Sequence, residues 1–116
     1  MDLALSYYLR CIDKLKYTED KVTRSACLNN ISNIYYKKGE LEKANKYGSE
    51  SLQLALSIGV PERIKNASET LSKIFSKKGN HKEALEMHQL FKQMSDSMNN
   101  VEMRKAAFAK QMQYES

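Results

Sequence analysis

Apolar residues fall at spacings of three and four along most of this chain, the period of helices that bury one side. Cys27, Leu28, Ile31, Ile34 and Tyr35 form one stripe, and Ala44, Tyr47, Ser51, Leu52 and Ala55 form the next. The pattern predicts six helices: about Asp2 to Lys16, Asp20 to Gly39, Leu41 to Ile58, Pro61 to Lys78, Asn80 to Met98 and Val101 to Tyr114. Gly39 supplies the positive φ that lets the chain leave a helix and reverse. Pro61 sits in a first helical turn, where its missing N–H costs nothing, and Asn80 suits an N-cap. Asn99-Asn100 is expected to break the chain before the sixth helix.

The stripes themselves repeat. Lys37-Lys38-Gly39 returns forty residues later as Lys77-Lys78-Gly79. At that offset Ile31 falls on Leu71, Ile34 on Ile74, Tyr35 on Phe75, Ala44 on Ala84 and Tyr47 on Met87. Each unit is a helix pair joined at a glycine. Such units cannot bury their apolar faces alone and stack into a solenoid. The expected fold is therefore all-α: a right-handed α-solenoid of antiparallel helix pairs with a C-terminal capping helix. Within a single domain over 1–116, residues 1–19 read as the second helix of a truncated repeat, 20–59 and 60–99 as full repeats, and 100–116 as the capping or exit helix. The N-terminal face of Leu5, Tyr8, Leu9 and Ile12 then lacks a neighbour, which predicts a homodimer or a swapped hairpin through that end. Val101, Phe108 and Met112 are expected to dock back onto the fourth and fifth helices.

Composition narrows the functional classes. The chain of 116 residues is 41% hydrophobic and 28% charged, ordinary for a helical domain. No apolar run approaches the roughly 18–20 residues that span a bilayer. The net charge of +5 sits partly on lysine pairs at helix ends, where cations complement the macrodipole. No continuous basic stripe with interleaved aromatics points to nucleic acid. Cys11 and Cys27 flank the first turn at similar distances along two helices and read as small packing residues; a disulfide between them is conditional on an oxidising compartment. His81 is expected in solvent and His88 at a packing position. No phosphate-cradling glycine loop, nucleophile elbow or metal-binding helix motif occurs, so no catalytic residue, cofactor or metal site is assigned.

Leu28, Ile31-Ser32, Tyr35, Gly39 and Ala44, followed by Leu71-Ser72, Phe75, Gly79 and Ala84, resemble the tetratricopeptide repeat (TPR), in a variant with a longer second helix and a period near 40. Ser68 replaces the large residue found at Leu28, and Gly48 and His88 stand where that family has an aromatic. Tyr47 and Phe91 are the neighbours able to supply the bulk. The stretch from Leu90 to Asn99, with Lys92 through Ser97 at its centre, is similar to the end of TPR sensor regions in bacterial signalling proteins of the histidine kinase or helix-turn-helix regulator type.

That resemblance implies a protein-interaction module whose first helices line a concave groove. The residues expected there are Asn29, Asn33, Tyr36 and Lys37, then Asn66, Glu69, Lys73 and Lys77, holding an extended peptide or protein ligand through hydrogen bonds and ion pairs. The same eight also fit a merely polar exposed face. Asn33 matches the position that grips peptide termini in some members. Two functional readings follow: the sensory or regulatory region of a larger bacterial signal-transduction protein, or a free-standing TPR adaptor or chaperone-like peptide binder. Periplasmic and cytoplasmic placements both fit, and neither nucleic acid nor membrane is expected to be bound by these residues.

Overall fold

The computed structural model describes residues 2–15 and 20–115, the side chains of 2, 15 and 111–115 excepted. Among the described residues all regular structure is helical: α1 (Asp2–Leu15), α2 (Lys21–Lys37), α3 (Leu41–Ile58), α4 (Pro61–Lys78) and α5 (His81–Glu115). The first turn, expected near Thr18 to Asp20, lies mostly outside them. Each helix packs on the next, and among the described residues the sole further pairing is α2 with α4.

Local chemistry fixes the ends. Asp20 caps α2 by accepting a hydrogen bond from the Thr23 N–H at 3.1 Å. At the first glycine, the Glu40 N–H reaches the Tyr35 carbonyl at 2.9 Å and the Gly39 N–H reaches Tyr36 at 3.0 Å. At the second, Asn80 reaches Phe75 at 2.8 Å and Gly79 reaches Ser76 at 3.1 Å. Both are Schellman closures with the glycine at positive φ, +81° and +82°, so the forty-residue period is reproduced bond for bond at the turns. Lys78 also crosses to Glu42 at 2.7 Å, tying the ends of α3 and α4.

The core centres on α3. Ala44, Gly48, Ser51 and Ala55 recur at steps of three and four, and all four are buried. This run of small side chains lets α3 lie close to both α2 and α4. A Cβ at Gly48 would stand 2.9 Å from Ser32 Oγ on α2 and 3.0 Å from Leu71 Cδ2 on α4. Ile31, Leu71 and Ile74 fill the space around this contact. The buried hydroxyls are satisfied locally or across the interface. Ser25 Oγ donates to the Ser51 carbonyl at 3.1 Å while Ser51 Oγ donates to the Ser25 carbonyl at 2.8 Å. Ser32 Oγ donates to the Ala44 carbonyl at 2.6 Å. Ser68 turns its hydroxyl back to the Ile64 carbonyl, which is how a polar side chain is accommodated opposite the position of Leu28.

The sequence expectations hold at Ala44, Ser51, Leu52 and Ala55, all buried, whereas Tyr47 is half-buried and stacks on Tyr35 with centroids 5.6 Å apart. On α1 the face expected to lack a neighbour has one: Leu5, Tyr8, Leu9 and Ile12 pack against the core, and the large exposed apolar side chains described there are Leu3 and Tyr7. The C-terminal expectation is overturned. α5 runs without a break through Asn99-Asn100 to Glu115, so no separate sixth helix forms; Val101 reaches only the edge of a cleft beside Pro61, Phe108 is exposed, and the Met112 side chain lies outside the described residues. The reason lies in the repeat itself. One period earlier α3 ends at Gly59, in the left-handed conformation, with Pro61 opening α4. At the corresponding places α5 has Asn99 and Val101, which neither stop a helix nor start one as strongly. Gly48, which allows α4 to approach α3, is matched on α5 by His88, which is exposed.

Candidate functional site

The pairing of α2 with α4 places the polar residues of two units side by side. Asn33 and Lys37 are one helical turn apart on α2, and Lys73 and Lys77 occupy the same two positions on α4. A cleft of about 440 Å³ is lined by Ala4 and Tyr8 of α1, by Asn30, Asn33, Ile34 and Lys37 of α2, and by Lys73 of α4. A second cleft, of about 560 Å³, is lined by Tyr36 of α2, by Lys73, Ser76 and Lys77 of α4, and by Ala84, Leu85 and His88 of α5. Lys73 belongs to both. Two shallow, adjoining clefts sharing a cation suit an extended ligand better than a compact one.

The charge along this surface is positive. Lys73 lies 3.7 Å from Glu69, but both side chains are about half exposed, and an ion pair in that setting holds the lysine only weakly. Lys37 and Lys77 have no carboxylate partner among the described residues. Tyr36 and Leu85 supply apolar surface beside them.

Of the eight residues expected in a groove, five are brought into the clefts: Asn33, Tyr36, Lys37, Lys73 and Lys77. Asn66 and Glu69 line neither. The Asn66 carbonyl receives the Thr70 hydroxyl at 3.0 Å, and Glu69 serves the ion pair. Asn29 is buried, with its Oδ1 lacking a hydrogen-bond partner, so it is not displayed to a ligand. Asn29 lies four residues before Asn33 and shares its face, but it sits at mid-helix, where α2 is covered, while Asn33 lies nearer the end of the helix. Sequence reasoning missed Asn30, Tyr8 and Leu85. It also placed His88 in the packing, yet His88 is exposed, its ring 6.1 Å from Phe91, and it joins the second cleft.

The cysteines are both free. Cys27 is buried, as expected, and burial, reinforced by the neighbouring Cys11, pushes its thiol above the ordinary range. Cys11 is only half-buried, and its hydrogen bond with Tyr7 raises that phenol. In the second cleft the Ser72 hydroxyl is committed to the Glu69 carbonyl at 2.8 Å. Among the described residues, no three His, Cys, Asp or Glu side chains converge as metal ligands, and no helix is long and apolar enough to cross a membrane. Comparison with protein-family models, with curated proteins and with solved structures finds no match.

Proposed function

We propose that this chain is a non-catalytic, TPR-like interaction module that binds an extended peptide or a protein segment along the α2–α4 surface. The observation that carries the reading is the position of Lys73, which lines both clefts and joins Asn33 and Lys37 on one side to Tyr36 and Lys77 on the other. The solenoid reading draws support from the bonds between α2 and α3. Partners advance from Ser25 to Ser32 on one helix and retreat from Ser51 to Ala44 on the other, the sense of an antiparallel pair. The α2–α4 pairing, with no matching contact between α3 and α5 among the described residues, favours a stack whose first helices lie on the inside of a curve.

The place of this module in a larger bacterial signal-transduction protein, as a sensory or regulatory region, rests on the resemblance of the Leu90 to Asn99 stretch. The reading of the gene beyond Ser116 tests it: an output module supports the signalling role, and a stop codon favours the adaptor.

Binding is tested by fluorescence anisotropy with a labelled pool of extended peptides rich in Asp and Glu and a matched pool carrying Asn and Gln. The acidic pool is expected to bind in a salt-dependent way. Lys73→Ala should weaken it more than Lys37→Ala or Lys77→Ala, because each of those lysines lines a single cleft. An equal loss from Lys92→Ala on exposed α5, or no binding by either pool, overturns the proposal.

A further inference from the structure

The last part of α5 leaves the body of the molecule as a free helix. Pro61, the first residue of α4, shares a cleft with Met98 and Val101, and the side chains from 99 to 110 are exposed or nearly so. At 1.5 Å per residue, the stretch from there to Glu115 extends about 25 Å past that level. The radius of gyration reflects this: 16.9 Å, against the roughly 13 Å expected of a compact chain of this length.

The free segment carries a pattern that a solvated helix does not need. Along α5, steps of three and four connect Met87, Phe91, Met94 and Met98, then Val101, Lys105, Phe108 and Met112. This is an unbroken heptad series with one polar member. Its first part is used inside the molecule, where Met87 and Met94 pack against the core. Among the described residues its continuation is largely uncovered, with Val101 47% and Phe108 64% exposed. A 3.5-residue period is the signature of a helix that packs along its length on another helix, and an isolated helical segment this short is marginal in water.

We propose that residues 98–112 of α5 pair with the same segment of a second copy of this chain in a parallel, in-register, two-stranded coiled coil. Two features select a second copy. The series matches itself layer by layer, Val101 on Val101 and Phe108 on Phe108, with no charge buried except at one level. That level holds Lys105, and a lone lysine in the seam is the device that specifies register and strand number at some cost in stability, since two long side chains can splay outward but a larger bundle would trap them. Each Lys105 already leans to its own Glu102, 3.8 Å away. At the fork where the helix leaves the body, the apolar cleft of about 240 Å³ formed by Val60, Pro61, Met98 and Val101 opens beside the seam and gives the partner helix a place to enter.

Sedimentation equilibrium on the whole chain tests this. A monomer–dimer equilibrium is expected. Phe108→Asp should abolish it without changing the thermal midpoint of the dilute monomer, because that side chain is exposed there. Lys105→Leu should tighten the dimer by about tenfold or more, by replacing the charged layer with an apolar one. A chain that stays monomeric at every concentration overturns the proposal, as does a dimer that survives Phe108→Asp or one that Lys105→Leu leaves unaltered. A monomer whose stripe instead inserts into phosphatidylserine vesicles, with Arg104, Lys105 and Lys110 on the lipid headgroups, also overturns it.

Discussion

Replacing Gly48 by alanine adds a single methyl group at a place where α3 lies against both α2 and α4. The new Cβ would lie 2.9 Å from Ser32 Oγ and 3.0 Å from Leu71 Cδ2, inside normal van der Waals contact on two sides at once. Neither neighbour yields easily. Ser32 is fully buried and its hydroxyl is pinned to the Ala44 carbonyl at 2.6 Å, while Leu71 is 2% exposed within the core. Overpacking of this kind costs about 1–3 kcal/mol, and the double contact puts Gly48→Ala in the upper half of that range. The helix gains roughly 0.5–1 kcal/mol from alanine in place of glycine, which offsets part of the loss. The net destabilisation is then about 1–2 kcal/mol, a fall in midpoint of roughly 4–8 °C for a domain of this size. Thermal unfolding followed by circular dichroism measures it. A double-mutant cycle with Ser32→Ala, which removes one of the two obstructing atoms, should recover part of the loss as a coupling of about 0.5 kcal/mol or more. A Gly48→Ala variant as stable as the parent, or more stable, would refute the argument, because propensity alone would then govern and α3 would not be held this close to α2 and α4.

Ala44→Leu should cost about 1–3 kcal/mol by thermal unfolding, since Ala44 is fully buried, whereas Ala84→Leu should cost clearly less because Ala84 is only half-buried at the edge of a cleft. Equal losses would show that the two units pack more alike than described. The hydrogen bond from Thr23 lowers the Asp20 carboxyl below the ordinary range, so its cap stabilises α2 fully above the unfolded value of about 4 and loses that contribution as pH falls through the lower folded value. In acid titrations monitored by helicity, the difference between the parent and Asp20→Ala should therefore be constant near neutrality and close below about pH 4. A difference that grows on acidification would contradict the cap.

The parts of the fold set by short-range rules were legible in the sequence. Gly39 and Gly79 announce equal turns because positive φ is a local property, and the bonds to Tyr35 and Phe75 reproduce that equality. Ala44 and Ala55 announce burial because small residues at steps of three and four leave room for a crossing helix. What failed depended on long-range packing. The expected break at Asn99-Asn100 rests on two helix-weak residues, yet without the glycine and proline that stand at 59 and 61 they do not stop α5. The candidate groove shows the same division: the spacing of Asn33, Lys37, Lys73 and Lys77 put them on open faces, while the burial of Asn29 and the entry of Tyr8 and Leu85 depended on how far α1 and α5 overlap α2 and α4. Gly48 was noted only as a missing aromatic. Its significance as a point of close approach is visible in the distances to Ser32 and Leu71.

The claim that the α2–α4 surface is one continuous binding site is tested most directly by mapping backbone amide shifts of the isotopically labelled chain during titration with the acidic peptide pool. The account predicts coherent, saturable shifts at Asn33, Tyr36, Lys37, Lys73 and Lys77, spreading to Tyr8 on one side and His88 on the other, all removed by Lys73→Ala. Shifts confined to the exposed faces of α3 and α5, or to a single cleft with the other unaffected at saturation, would contradict it.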